Sequence, residues 1–252
     1  MKVIINSKSF PDQNPNDLTV YFDEYFRNVK SMELIYVGIP QTFYNISEEF
    51  DNNKFVIGAN RDSNRIQLLT IPDGFYDFKS FTREFSNQLH GLTNLTRHSI
   101  RFDVQEPTGK VIIHFQKRGN SLPFIQLSYR NDELLGIDRG DIRQFKIPRS
   151  TNNNTVIGDK PINFKPFEYF QIHCDIVNTA DNFFNGKGTD LLASVPIKDS
   201  DFGEINHYKG FKERSCESSF SKLRLWITNE KDKLLDLNDG DVQYEISFTL
   251  NE

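Results

Sequence analysis

Cysteine, tryptophan and methionine are scarce in this sequence. Its 252 residues include 2 Cys, 1 Trp and 2 Met, and no apolar stretch approaches the roughly 18–20 residues that a membrane-spanning helix needs. The two cysteines, Cys174 and Cys216, lie far apart, and residues 1–6 turn polar too early for an export signal. We therefore expect two reduced thiols, no signal peptide, and synthesis in a reducing cytoplasm.

An excess of basic residues is also missing. The chain carries 30 Lys and Arg against 35 Asp and Glu, which gives a formal net charge of -5. Proteins that bind nucleic acid need cations to displace the counterions of the phosphates, so they are usually basic. The densest basic run here is only Lys117-Arg118. The composition therefore gives no strong signal for a nucleic-acid partner.

The residue patterns that mark catalytic or metal sites are absent from the sequence. The five histidines never occur as His-x-His, which a metal-binding jelly roll of the cupin type would need. Residues 236–241 resemble a calcium loop, but Gly240 falls fifth rather than sixth and no glutamate follows at the twelfth position. A hairpin turn is the better interpretation of this segment. We assign no catalytic, cofactor-binding or metal-binding residue and expect a protein that is not an enzyme and carries no cofactor.

One adjacent pair, His173-Cys174, has the chemistry of a nucleophilic site. An imidazole beside a thiol can activate it. The two residues are neighbours on a predicted strand, however, and neighbouring strand residues point to opposite faces of a sheet. We therefore predict that Cys174 packs in the core and that His173 lies on the other face.

Aromatic residues are abundant, with 23 Phe and 9 Tyr, and short alternating runs dominate the chain. Such runs, bounded by turn-forming residues, are typical of half-buried strands. The predicted strands cover residues 3–6, 18–22, 32–40, 54–57, 65–71, 99–104, 110–116, 124–129, 169–177, 190–197, 223–228 and 242–250.

The sequence predicts one convincing helix, at residues 77–89. Phe78, Phe81, Phe85 and Leu89 recur at helical spacing and form one apolar stripe, which indicates core packing. Asp77 is the expected cap. A single capped turn of helix is expected at 131–137, and the polar segment 149–161 is predicted to be a linker.

Many short strands with few helices favour an all-β fold over a parallel α/β fold. We predict an antiparallel jelly-roll sandwich with a small α+β insertion. The jelly roll is expected to comprise residues 1–50 and 160–252, and the insertion residues 51–159 with the helix near 77–89.

Four segments of the chain, in order, resemble those of a known family. They read LIYVGIPQTFYNI at 34–46, IPDGFY at 71–76, DELLGI at 132–137 and LRLWITNEKD at 223–232, the last followed by Gly240-Asp241-Val242. They are similar to the penton, or minor capsid, proteins of virophages, Polinton-type elements and related large DNA viruses. The chain departs from the family pattern at Asn229, which replaces the usual aspartate, and in lacking a glycine after 231–233.

The resemblance implies a single jelly roll that forms the five-fold vertices of an icosahedral capsid beside larger, hexon-like subunits. The expected function is therefore structural: a minor capsid subunit of the virion, assembling as a homopentamer and contacting a major capsid protein. A five-fold ring uses heterologous contacts that close on themselves. Aromatic residues near the amino end, Tyr21, Phe22, Tyr25 and Phe26, are candidate interface anchors, although half of such residues are expected to line the core.

Two alternatives belong to other classes of function. A carbohydrate- or receptor-binding jelly roll would stack exposed aromatic residues such as Trp226 or Phe183-Phe184 on sugars, and the insertion could bind a receptor or glycan. The alternation of residues 223–228 favours burial of Trp226. A sheet-based enzyme would need a cleft in which histidine and carboxylates converge.

Overall fold

The structure is a computed structural model that describes residues 1–59, 66–92, 99–116, 123–127, 134–137, 153–180, 183–184, 187–198 and 201–251. Within these residues the elements follow in this order: β1 (Lys2–Asn6), a 3-10 turn (Ser7–Ser9), β2 (Asp17–Phe26), β3 (Val29–Pro40), β4 (Lys54–Ala59), β5 (Ile66–Thr70), α1 (Phe78–Gly91), β6 (Ser99–Gln105), β7 (Lys110–Gln116), β8 (Pro123–Gln126), β9 (Asn153–Pro161), β10 (Tyr169–Cys174), β11 (Phe183–Phe184), β12 (Lys187–Gly188), β13 (Leu191–Pro196), β14 (Ile205–Lys209), β15 (Arg214–Ser215), β16 (Phe220–Asn229) and β17 (Gln243–Leu250).

Two antiparallel sheets form the first compact unit of the chain, residues 1–43 and 167–252. In the first sheet the order is β1-β17-β3-β14, with β15 also paired to β3, and in the second it is β13-β10-β16-β2. Eight strands ordered in this way across two sheets form a jelly roll. The predicted all-β, antiparallel jelly-roll class is confirmed.

Aromatic rings join the two sheets through the core of this unit. Phe26 on β2 lies 5.9 Å from Phe248 on β17, measured between ring centroids, and Phe220 on β16 lies 5.1 Å from Phe26 and 5.3 Å from Phe248. Strands β14 and β17 alternate buried and less buried residues, and Leu223 and Leu225 of β16 are fully buried. In β10, by contrast, every residue after the first is buried. The period-2 pattern of the sequence therefore corresponds to inner and outer faces.

The second compact unit, residues 44–166, lies in the chain between β3 and β10. Its sheets have the orders β5-β4-β8 and β6-β7-β9. The sequence predicted divisions at 50/51 and 159/160, whereas the structure places them at 43/44 and 166/167. The reason is that turn residues at both ends belong to the insertion: Ile46 pairs with Gly74, and the amide of Asn163 donates to the carbonyl of Leu134.

Helix α1 is built as its sequence predicts. The Asp77 side chain accepts from the amide of Ser80 at 2.6 Å, and the Ser80 hydroxyl oxygen accepts from the amide of Asp77 at 3.0 Å, which completes a capping box. Phe85 packs edge-on against Phe102 of β6, with ring centroids 4.7 Å apart, and 5.3 Å from Phe55 of β4. The apolar stripe of the helix is the core of the insertion. Among the described residues, no helix is long and apolar enough to cross a bilayer.

Three sequence-based predictions differ from the structure. The predicted linker at 149–161 is wrong for its described part, because Asn153–Pro161 forms β9 and pairs with β7; residues 149–152 lie outside the described residues. The predicted hairpin at 236–241 is also wrong, since it connects β16 in one sheet to β17 in the other. The sequence patterns did not predict strand β14, although its residues Asn206 and Tyr208 are buried at alternate positions. The helical turn is confirmed at Leu134–Leu135, and 131–133 lie outside the description.

 Gly136 ends that helical turn and has a left-handed φ of 65°. A Cβ atom at position 136 would lie 2.2 Å from the carbonyl oxygen of Lys160. Both the backbone angle and the close approach therefore require glycine here.

We expect Gly136→Ala to lower the free energy of unfolding by more than about 2 kcal/mol, because the left-handed angle alone costs about 1–2 kcal/mol and the clash adds to it. The matched control is Gly91→Ala at the end of α1, where no atom lies within 4 Å of the added Cβ. That control is expected to be neutral or stabilising by up to about 1 kcal/mol. Urea unfolding followed by circular dichroism measures both, and equal effects of the two substitutions would contradict the assignment.

Candidate functional site

His173 and Cys174 lie on opposite faces of β10, as predicted. Cys174 is fully buried in the core, whereas His173 lies on the other face, where its ring stacks on Trp226 of β16 with centroids 5.2 Å apart. The imidazole and the thiol are therefore directed away from each other and do not form a nucleophilic pair.

His173 instead belongs to a partly buried hydrogen-bond network. Its Nδ1 lies 2.8 Å from Oδ1 of Asp190, and its Nε2 lies 3.0 Å from Oγ1 of Thr228. This chain of carboxylate, imidazole and hydroxyl resembles a catalytic triad in its order of groups. His173 and Thr228 are only 6% and 4% exposed, however, so a substrate has little access to the hydroxyl. The network ties β10 to β16 and to the residue that precedes β13.

The described residues contain no group of three or more His, Cys, Asp and Glu side chains that could hold a metal ion. Two further histidines each contact one polar side chain of the described residues: the His114 ring lies 3.2 Å from Asp103, and the His207 ring lies 2.5 Å from the hydroxyl of Tyr36. His98 lies outside the described residues. The polar network around His173 is thus best explained as a structural element of the sheet.

We expect Asp190→Ala to destabilise the protein by about 1–2 kcal/mol, because the buried Nδ1 of His173 loses its hydrogen-bond partner. Thr228→Val, which keeps the side-chain shape but removes the partner of Nε2, should have a similar effect. Asp12→Ala, at an exposed carboxylate, is the control and should stay within about 0.5 kcal/mol. Chemical unfolding measures all three, and an unchanged stability of Asp190→Ala would show that the network contributes nothing.

Both cysteines are free thiols in the structure. Burial raises the pKa of Cys174 far above its ordinary range, and burial likewise raises the pKa of Cys216 to about 11. The thiolate is the reactive form of cysteine. Neither residue therefore has the lowered pKa of an activated nucleophile.

We expect Cys216 to react with a thiol reagent at pH 8 about a hundredfold more slowly than a solvent-exposed cysteine, since its pKa near 11 leaves about a hundredth of the usual thiolate. Cys174 should react only after unfolding. The Cys216→Ser variant identifies the slow phase. Rapid labelling of both thiols in the native protein would contradict the burial of this region.

Trp226 is half-buried and already has two neighbours. Besides His173, the guanidinium of Arg224 lies 5.0 Å from its ring centroid, and Arg224 is itself held by Asp17 through two hydrogen bonds of 2.6 and 2.7 Å. A sugar would need an open aromatic face, so these contacts weigh against a glycan site at Trp226. Phe183–Phe184 forms β11, and its side chains lie outside the description. Binding of a receptor or glycan by the insertion stays a prediction.

The residues that carry the sequence resemblance lie partly in strands, 34–40 in β3 and 223–229 in β16, and partly in turns. The side chain of Asn45 accepts from the amide of Tyr76 at 2.8 Å and donates to the carbonyl of Tyr76 at 2.7 Å, while Ile46 pairs with Gly74. The end of the first motif and the second motif are thus held together by hydrogen bonds inside the insertion. These contacts stabilise the fold, and none of them requires a reactive role.

Asn229 performs the turn function expected of the aspartate it replaces. Its Oδ1 accepts from the amides of Lys231 and Lys233, at 2.9 and 3.1 Å, and Asp232 has a left-handed φ of 58°. An amide oxygen accepts such bonds as a carboxylate does. The departure from the family pattern therefore preserves the turn.

The aromatic residues near the amino end divide between core and surface. All four lie on β2, an outer strand of its sheet. Tyr21 and Tyr25 are 74% and 56% exposed, whereas Phe22 and Phe26 are half-buried and contact each other edge-on at 4.8 Å. Two of the four predicted interface anchors are therefore available on the surface. An exposed, apolar edge strand is a site at which other chains associate.

An edge of the other sheet also exposes apolar side chains, which the sequence patterns did not predict. Ile205 on β14 and Phe202 just before it are 53% and 51% exposed. The alternation of residues 205–209 was the available signal, with Ile205 at an outward position. The two edges of the jelly roll are the candidate functional surfaces of the first unit.

Comparisons with known proteins agree with this architecture. A family model described as "Family of unknown function (DUF5901)" matches residues 6–225. No curated protein matches the sequence. Among solved structures, the crystal structure of the SeMet-labelled mavirus penton protein is similar, with a TM-score of 0.56, 10% sequence identity and coverage of 100% of both chains. At this identity the likeness concerns the fold.

Proposed function

We propose that this chain, which belongs to the DUF5901 family, is a structural capsid subunit of the penton type. In this proposal it is made in the host cytoplasm, assembles with four further copies into a five-membered ring, and occupies a vertex of the virion beside a major capsid protein. The protein performs no bond chemistry.

The observation that carries the proposal is the similarity of fold over the whole length of both chains to the mavirus penton protein. A shared jelly roll alone would be weak support, since this fold serves many functions. Here the match includes the insertion between β3 and β10 as well as the sandwich, because it covers both chains completely.

The exposed edges supply a physical mechanism for assembly. Burial of apolar surface is the main favourable term in most protein association, and a stable interface buries about 800 Å² per partner. The edge strand β2 presents the exposed aromatic side chains of Tyr21 and Tyr25, and edge strands are sites at which chains associate. Contacts between these edges would close the ring without a large rearrangement of the subunit.

The test is the mass of the purified protein in solution, measured by light scattering alone and then with the major capsid protein of the same virus or element. We expect about five times the 29.4 kDa of one chain, or a complex that appears when the major capsid protein is added. A protein that stays monomeric at every concentration and does not bind the partner would overturn the proposal.

A further inference from the structure

Strand β5 of the insertion differs from the other edge strands of the protein. Edge strands attract further strands, and proteins discourage this with charged side chains or proline. Such residues occur in the other described edge strands longer than two residues: Lys2 in β1, Asp23 in β2, Arg101 in β6, Pro123 in β8, Asp159 in β9, Pro196 in β13 and Lys209 in β14. The edge strand β5 reads IQLLT and has neither a charge nor a proline. It is therefore an edge that nothing in its own sequence protects from pairing.

The main-chain groups of β5 point out of the sheet at alternate residues. The amide of Ile71 donates to the carbonyl oxygen of Asn53 at 2.8 Å, which sets the phase of the pairing with β4. Hydrogen-bonded and non-hydrogen-bonded pairs alternate in an antiparallel ladder. Leu69 therefore bonds to β4, whereas the N–H and C=O groups of Leu68 and Thr70 point away from it. Within the described part of the chain, no residue bonds to the amides of Leu68 and Thr70.

The side chains of β5 on the outer face of the sheet are apolar and exposed. Leu68 is 55% exposed and Ile66 44% exposed. Leu68 lies opposite the half-buried Val56, and Ile66 lies opposite Gly58, which has no side chain to cover it. Apolar pairs between neighbouring strands stabilise a sheet. A further strand at this edge would thus gain main-chain hydrogen bonds and apolar contacts together.

One end of β5 is surrounded by carboxylates. This end pairs with Lys54, whose ammonium lies 2.6 Å from the carboxylate of Glu48. Glu48, followed by Asp51 and Asp73, raises the pKa of Lys54. Three carboxylates thus face one ammonium, while the two cations and two carboxylates of residues 77–84 in α1 balance one another. Complementary charges fix the orientation of a partner, so this end favours a partner with cations.

We propose that β5 binds an extended segment of another protein, which adds to this three-stranded sheet as a fourth, antiparallel strand. The segment carries aliphatic residues at alternate positions, against Leu68 and Ile66, and lysine or arginine just before them, beside Asp73. An antiparallel segment begins at the Thr70 end of β5, and the other pairs of this sheet are antiparallel as well. Main-chain bonds supply affinity in this mode of recognition, and alternate side chains supply specificity. The inference goes beyond the proposed function, because a ring of subunits does not need it.

Amide hydrogen exchange tests whether the edge is open. In the free protein the amides of Leu68 and Thr70 are expected to exchange faster than the amide of Leu69, which bonds to β4. Both should become protected when the segment binds. Slow exchange of Leu68 and Thr70 in the free protein would overturn the proposal, because the edge would already be covered.

The probe for binding is a synthetic peptide in which two lysines precede alternating valine and threonine, labelled at its carboxyl end and followed by fluorescence anisotropy. We expect saturable binding that protects the amides of Leu68 and Thr70. The same peptide N-methylated at alternate amides should not bind, since it cannot donate to the edge. A peptide with the lysines at its carboxyl end should bind about two- to fivefold more weakly, as for exposed ion pairs. Absence of saturable binding, or equal binding of the N-methylated peptide, would overturn the proposal.

Substitutions in the intact protein locate the site. Leu68→Lys is expected to weaken binding of the peptide at least about tenfold, because an ammonium replaces the aliphatic contact. The matched control is Ile157→Lys, at a 49% exposed isoleucine of the edge strand β9 in the same unit, and it should leave binding unchanged. Circular dichroism checks that both variants fold. Equal effects of the two substitutions would contradict a site at β5.

The mass of the protein, measured by light scattering without peptide, tests the choice of partner. We expect Leu68→Lys to leave this mass unchanged. A mass that falls on this substitution would mean that β5 pairs with a second copy of the chain, and it would overturn the assignment of a different protein as the partner. Failure of the peptide to bind leaves the mass of the ring unaffected, so the failure of this inference and that of the proposed function are distinguishable.

Discussion

The structure depends on the placement of β17 between β1 and β3. The last strand pairs with the first, Val3 opposite Ile246, and with β3, Tyr244 opposite Val37. The amino group of Met1 donates to the carbonyl oxygen of Phe248 at 2.8 Å. Tyr244, Ile246 and Phe248 are buried, so this strand also supplies the core. Residues more than 240 positions apart must therefore meet before the first sheet is complete, and such non-local pairing is slow to form.

The closeness of the two points at which the chain leaves and re-enters the sandwich explains how the sandwich carries a large insertion. The chain leaves the jelly roll after Phe43 and returns at Phe167, and the rings of these two residues lie 5.2 Å apart. Both also contact Phe170. An insertion whose ends are adjacent perturbs neither sheet, and the segment between them has its own core around α1. Turn residues such as Asn45 and Gly74 belong to this second unit.

The same arrangement leaves edges for assembly. A jelly roll is not a closed barrel, so its outer strands keep backbone groups without sheet partners. In this protein those strands also carry Tyr21, Tyr25 and Ile205 on the surface. The imidazole of His173, by contrast, is buried, and both of its ring nitrogens have partners, in Asp190 and Thr228. Surfaces rather than a pocket therefore carry the proposed function.

The sequence by itself determined most strands and helix α1, because alternation and the Phe81–Phe85–Leu89 stripe record which side of each element is buried. It also determined that His173 and Cys174 face apart. Only the tertiary structure decided which strands pair: residues 236–241 look like a hairpin turn locally, yet they cross between sheets, and 153–161 look like a linker, yet they pair with β7. It likewise decided that Tyr21 and Tyr25 are exposed while Phe26 packs on Phe248. The local pattern of apolar residues indicates which side of one element is buried. Which strands pair, and which of them lie at the edge of a sheet, depends on residues that are distant in the chain.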